Sequence, residues 1–229
     1  MNNLAIIPAR GGSKRIPRKN VKSFLGVPII KYSIDAALNA DCFHEVMVST
    51  DDKEIAEIAV SYGAKVPFYR SEATSNDYAG TSEVIEEVIM EYKKRGQQFA
   101  YFCCIYPTAP FITSERLREA MKLLKESGAN GVLPVTRFSY PIQRSLKIED
   151  GRIKMIWPEN YNARSQDLMP AYHDCGQFYC LNIESFLKQK RLFAEFTIPI
   201  VIPETEVQDI DNEVDWKLAE LKYRFLKNL

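Results

Sequence analysis

The sequence predicts an α/β protein: a mainly parallel sheet with helices on both faces, interrupted by one small β-rich lobe. Three observations carry this. Short apolar runs alternate with segments of 3.6-residue periodicity from the N-terminus to about residue 134, and such alternation implies a mainly parallel sheet. A loop of glycines and cations follows the first apolar run directly, at the strand end where sheets of this type place ligands. Further on, Asp150-Gly151 separates two alternating runs, a strong hairpin signal outside the helical pattern.

Taken in order, residues 4–8 read as a strand, and Pro28 opens a helical pattern through Ile29, Ile30, Ile34 and Leu38. Strand 45–49 leads to helix 52–62, with Asp51 as N-cap and Glu54 in capping-box position, and then to strand 64–69. Helix 82–95, strand 99–105, helix 114–127 and strand 131–135 continue the alternation. After Pro134 it breaks. Residues 143–148 and 152–157 form the hairpin across Asp150-Gly151, and a polar irregular stretch, 158–174, follows. An excursion of this length in an α/β domain is functional or an interaction lobe. Strand 177–182, a short helix, strand 197–202, the acidic segment 209–215 and a helix to about Phe225 close the chain.

With 229 residues, 46% of them apolar, the chain suits one large domain spanning 1–229, burying roughly 70–75% of its unfolded surface. Lys plus Arg and Asp plus Glu balance at 30 each, so no bulk charge draws the protein to nucleic acid or an anionic membrane. Any basic site is local. No run approaches the roughly 20 apolar residues that span a bilayer, and residues 1–9 carry no positive leader, which reads as a cytoplasmic protein without a membrane partner. The 5 cysteines form no C-x-x-C pair. Adjacent Cys103 and Cys104 would face opposite sides of a strand as small core residues.

Arg10-Gly11-Gly12-Ser13-Lys14-Arg15-Ile16-Pro17-Arg18-Lys19-Asn20 concentrates five cations and two glycines after the first strand. Gly11 and Gly12 allow backbone N–H groups to converge on a phosphate that the cations neutralise; the competing reading is a solvated basic turn. The loop matches neither the P-loop nor the dinucleotide glycine pattern. In Asp209-Ile210-Asp211, an extended backbone turns both carboxylates the same way, a donor set suited to magnesium held together with substrate phosphates. The competing reading is helix capping, which fits Asn212 and Asp215. A basic loop at one strand end and an acidic pair at another suggest nucleotidyl transfer, in which positioning and electrostatics do most of the catalysis.

The string 7–20, Ile-Pro-Ala-Arg-Gly-Gly-Ser-Lys-Arg-Ile-Pro-Arg-Lys-Asn, resembles the N-terminal signature of the CMP-sialic acid synthetase family, the acylneuraminate cytidylyltransferases. The resemblance continues through Tyr69-Arg70-Ser71, Thr81-Ser82, Tyr106-Pro107-Thr108-Ala109-Pro110, the segment 162–168, Gly176-Gln177-Phe178-Tyr179 and Asp209-Ile210-Asp211, nearly the whole chain. It implies a Rossmann-like sheet, CTP at the N-terminal loop, an acidic nine-carbon sugar as acceptor, and pyrophosphate release with magnesium at Asp209 and Asp211. By the same resemblance, Arg10, Ser13, Lys14 and Lys19 contact the triphosphate, with Asn20, Arg70 and Ser82 near the cytidine. The lobe at about 134–178 looks like the family's dimer-forming arm, so a homodimer is expected, with Arg164 and Gln166 facing a sugar carboxylate and hydroxyls. For Arg164 the competing reading is an inter-lobe salt bridge.

Sialic acid enzymes of the family typically carry Gln where this chain has Tyr106. Tyr106, the Lys14-Arg15-Ile16-Pro17 form of the loop and the segment 173–179 look more like the branch acting on pseudaminic acid. The expected reaction is attack of the sugar's anomeric hydroxyl on the α-phosphorus of CTP, with Arg10, Lys19 and Asp211 at the reacting centre. His44 and His173 are the only histidines and receive no role; no general base is identified. N-acetylneuraminic or legionaminic acid is the alternative acceptor, and a non-catalytic CTP-binding module the alternative of another class. An NAD-dependent oxidoreductase would need a G-x-G-x-x-G loop that the sequence lacks.

Overall fold

The computed structural model describes residues 2–76 and 78–228. Strand β1 (Asn3–Pro8) is apolar on both faces through Leu4, Ala5, Ile6 and Ile7 and is buried there, as a strand covered on both sides requires. A miniature hairpin follows, β2 (Ser23–Phe24) and β3 (Val27–Pro28). Leu25 and Gly26 turn it, both with positive φ, the pair that a type I′ turn demands. Pro28 therefore ends a strand instead of opening a helix, and α1 (Ile30–Asn39) starts two residues later. Next come β4 (Glu45–Ser49), α2 (Lys53–Ser61), α3 (Glu72–Ser75), α4 (Thr81–Lys94), β5 (Tyr101–Ile105), α5 (Ser114–Ser127) and β6 (Gly131–Arg137). The chain ends with β7 (Leu146–Glu149), β8 (Arg152–Met155), β9 (Tyr172–Asp174), β10 (Phe178–Asn182), α6 (Ile183–Gln189), β11 (Thr197–Val201) and α7 (Glu213–Lys227).

The main sheet runs β11-β6-β10-β5-β1-β4, with β9 added beside β6. Strands β1, β4, β5, β6 and β11 point one way, while β9 and β10 run against them, so the sheet is mainly parallel as predicted. Helices cover both faces. Ala5, Ile7 and Cys103 pack with Ile34 of α1, Ile55 of α2 and Leu117 of α5, while Leu4, Ile6 and Cys104 pack with Ile85 and Val88 of α4 and Phe186 of α6. Cys103 and Cys104 thus split between the two faces. A third cluster joins Ile16, Phe24, Ile210 and Trp216, where Phe24 meets Tyr32, Trp216 and Tyr223 edge-on at 5.4, 5.6 and 5.7 Å.

The strand expected at 64–69 shrinks to one parallel bridge between Lys65 and Met47. Pro67 follows closely and has no N–H to extend the ladder, and Phe68 turns inward against Tyr92 instead. Pro134, where the periodicity breaks, lies inside β6, at the point where the antiparallel neighbour changes from β10 to β9. Its carbonyl accepts the Cys175 N–H at 3.2 Å. The lobe between β6 and β9 carries the predicted hairpin, β7 against β8, with Asp150 and Gly151 at positive φ. Leu146, Ile148 and Ile153 are exposed on it.

Candidate active site

Strand β1 lies between β4 and β5, both parallel to it. The chain passes from β1 to β4 on one side and then crosses to β5 on the other, and the crevice beyond the C-terminal end of β1 is where such sheets hold ligands. A cleft of about 730 Å³ opens there, lined by the loop after β1, the start of α4, the loop after β5 and the segment before α7. That volume suits a nucleotide with a sugar. Of the predicted residues, Arg10, Ser13, Lys14, Lys19, Asn20, Arg70, Tyr106, Asp209 and Asp211 line it.

The apolar third cluster explains how the basic and acidic segments meet. Ile16 and Ile210 are both buried in it, and alternation about Ile210 turns Asp209 and Asp211 together into the cleft. Lys19 bridges the two segments: its Nζ donates to the Ile210 carbonyl at 2.6 Å. Burial lowers the Lys19 ammonium's pKa, while Asp211 and Asp209 oppose the shift. Burial, then repulsion from Asp211, raises the Asp209 carboxyl. Asp215 belongs to the helix, as expected: its Oδ2 accepts from the backbone N–H groups of Asp211 and Asn212 at 2.9 and 3.0 Å in a capping box.

The loop's cations have separate tasks. Arg15 pairs with Asp211 at 2.7 Å, and Arg10 Nη1 donates to the Asn76 carbonyl at 3.1 Å. Arg18 points elsewhere, to Asp52 and Glu54, and holds a left-handed backbone with φ of 55°, which costs a non-glycine residue roughly 1–2 kcal/mol. Asn20 Nδ2 donates to the Arg10 carbonyl at 2.9 Å and ties the loop's ends together.

Several expectations need correction. Asp52 caps α2, its Oδ1 accepting from the Ile55 N–H at 3.0 Å; Asp51 instead accepts the Gly11 N–H at 3.0 Å. Glu54 pairs with Arg18 and closes no capping box. Gly11 also has a local reason to be small: a Cβ there would lie 2.7 Å from Asp52 Oδ2. Gly12 has open space around it, and neither glycine lines the cleft. Thr81 lines it in place of Ser82, which sits about 100° further round α4. Arg164 and Gln166 stand in the lobe, away from this chain's own cleft. Arg164 pairs locally with Asp167 at 2.6 Å, which is no inter-lobe bridge.

Tyr106 forms one wall. Its hydroxyl meets Thr81 Oγ1 at 3.3 Å, its ring abuts Tyr179 edge-on at 5.5 Å, and its backbone is fixed by Gln177 and Ser33. Burial raises its phenol's pKa. Arg70, behind the loop, donates to Ser49 O at 2.8 Å; burial lowers its pKa, with Asp51 and Glu87 opposing, though a guanidinium stays charged.

The description "Cytidylyltransferase" belongs to a family model that matches residues 4–179. The chain belongs to the cytidylyltransferase family. These nucleotidyltransferases include the pseudaminic acid cytidylyltransferase of Campylobacter jejuni, 42% identical over 98% of this chain and 97% of that protein. The CMP-N,N'-diacetyllegionaminic acid synthase of Legionella pneumophila is 34% identical over 96% and 95%. The N-acylneuraminate cytidylyltransferase of Escherichia coli is 30% identical over 94% of this chain and 51% of its own length. A CMP:2-keto-3-deoxy-manno-octonic acid synthetase solved with CTP shares the cytidylyltransferase fold, with a TM-score of 0.70 at 16% identity and full coverage of both chains. Among the described residues, no helix is long and apolar enough to cross a membrane.

Proposed function

We propose that this cytidylyltransferase joins CMP from CTP to the anomeric hydroxyl of pseudaminic acid and releases pyrophosphate. The observation that carries the reading is the 42% identity, end to end, with a protein named for that reaction. The identities to the legionaminic and neuraminate enzymes are lower, and Tyr106, the residue that sets the chain apart from the sialic acid pattern, lines the cleft.

In the proposed reaction the sugar's anomeric oxygen bonds to the α-phosphorus as the bond to pyrophosphate breaks, and the hydroxyl proton leaves with solvent or product. Arg10, Lys14 and Lys19 offset charge on the phosphate oxygens. Asp209 and Asp211 would hold magnesium. Two carboxylates suit a cation that completes its shell with water and phosphate oxygens; among the described residues there is no cluster of three or more His, Cys, Asp or Glu that could hold a metal. Burial, and then the neighbouring Asp211 charge, raise the Asp209 carboxyl, and a bound cation would favour its charged form. Bound there, magnesium would neutralise phosphate charge and orient the triphosphate.

A cytoplasmic homodimer completes the proposal, its contact formed by the lobe. The hairpin's exposed Leu146, Ile148 and Ile153 support this, since an isolated two-stranded hairpin is marginal by itself. Arg164 and Gln166 would then serve the partner's sugar site. The test is pyrophosphate release from CTP, expected only when pseudaminic acid is added; release at the same rate without sugar, or none with it, would refute the reading.

A further inference from the structure

We infer that Asp52 is a positioning residue for the triphosphate loop, holding its phosphate-facing side chains in place through its pair with Arg18 and its close packing beneath Gly11. The inference rests on the proposed assignment of residues 10–20 to the triphosphate.

Two adjacent carboxylates at the end of β4 grip the loop near both of its ends. Asp51 accepts the Gly11 N–H at 3.0 Å, and Asp52 takes Arg18 in a two-point pair, Nη1 to Oδ2 and Nη2 to Oδ1. Asp52 is itself immobilised: Oδ1 accepts the Ile55 N–H at 3.0 Å, and its own N–H donates to Thr50 Oγ1 at 3.1 Å. It packs so closely beneath Gly11 that a Cβ would lie 3.1 Å from its Cβ and 2.7 Å from its Oδ2. Between the two grips lie Ser13, Lys14 and Arg15, which line the cleft, and Lys19 comes directly after the second.

Arg18 itself does not line the cleft, so its charge serves the loop and not the nucleotide. Its left-handed backbone is the sort of local strain that persists only where surroundings over-determine it, and a bidentate carboxylate supplies that determination. The strained residue immediately precedes Lys19, whose Nζ must reach Ile210. Fixing the loop in advance removes ordering cost from CTP binding.

Asp52→Asn separates this role from helix capping, because asparagine caps as well as aspartate but cannot form the ion pair. Calorimetric CTP affinity should fall about tenfold in Asp52→Asn and in Arg18→Ala, with Arg18→Lys recovering part of the loss. The double variant should lose no more than Arg18→Ala alone, which also removes the pair with Glu54, as expected of residues acting as a unit. The sugar KM at saturating CTP should hold steady in all of them. Lys19→Ala is the reference for the loop. If Lys19→Ala weakens CTP binding and Asp52→Asn does not, the positioning role is overturned while the loop's assignment stands; if Lys19→Ala leaves affinity unchanged, the assignment falls and the inference with it.

Discussion

Lys19 Nζ sits 2.6 Å from the carbonyl oxygen of Ile210, joining the loop after the first strand to the segment before the last helix. Through this contact the cation stands beside Asp209 and Asp211, so basic and acidic halves of the site are one unit.

Lys19→Ala should lower kcat/KM for CTP about 10- to 150-fold, the loss expected when a charge-assisted contact worth roughly 1.5–3 kcal/mol disappears. Cooperative thermal unfolding should persist. Steady-state kinetics beside calorimetry would separate the two, and a variant that loses activity only by unfolding would speak against a contact to phosphate.

Asp211→Ala should abolish most turnover and leave the fold intact, since Asp211 is partly exposed and packs no core. Chelation by EDTA should silence the wild-type enzyme, and magnesium should restore it. Near wild-type turnover of Asp211→Ala at saturating magnesium would remove it from the metal site.

Gly11 and Gly12 should differ. A methyl at Gly11 runs into the held carboxylate of Asp52, whereas one at Gly12 meets nothing within 4 Å. Gly11→Ala should cost about 1–3 kcal/mol of stability and Gly12→Ala far less, measured by urea denaturation. Equal losses would mean that the clash is relieved by movement of the loop.

The sheet was legible because its strands are short apolar runs with helical periodicity between them, and Asp209-Ile210-Asp211 was legible because strand alternation is local. What escaped the sequence depended on partners far along the chain. Nothing near Gly11 indicates that Asp51 and Asp52, some 40 residues away, take its amide and limit its size, and adjacent aspartates gave no local reason to prefer one cap over the other. Likewise, Arg15 and Arg18 looked like two more phosphate cations, until the fold placed Asp211 beside one and Asp52 beside the other. The hairpin β2–β3 is too short for periodicity to register, and Pro28 therefore resembled a helix start.

The exposed hairpin gives an assembly test. Ile148 and Ile153 face each other across β7 and β8 and are 78% and 68% exposed. Replacing both with aspartate should convert a dimer to a folded monomer by sedimentation velocity and lower activity through the partner's sugar site. A wild type that sediments as a monomer at assay concentrations would rule out the proposed dimer.

In the proposed reaction this cleft, with Tyr106 as its aromatic wall, takes pseudaminic acid. Tyrosine offers a bulky ring and a single hydroxyl, already in contact with Thr81, where a glutamine amide would offer two N–H donors and a separate carbonyl acceptor. Polar groups of a mismatched sugar left unpaired against such a wall cost orders of magnitude in kcat/KM. The direct measurement is kcat/KM for pyrophosphate release with pseudaminic, legionaminic and N-acetylneuraminic acids at equal CTP and magnesium. Pseudaminic acid should lead N-acetylneuraminic acid by about 100-fold or more, with legionaminic acid the nearest competitor; an equal or higher value for N-acetylneuraminic acid would overturn the assignment to pseudaminic acid.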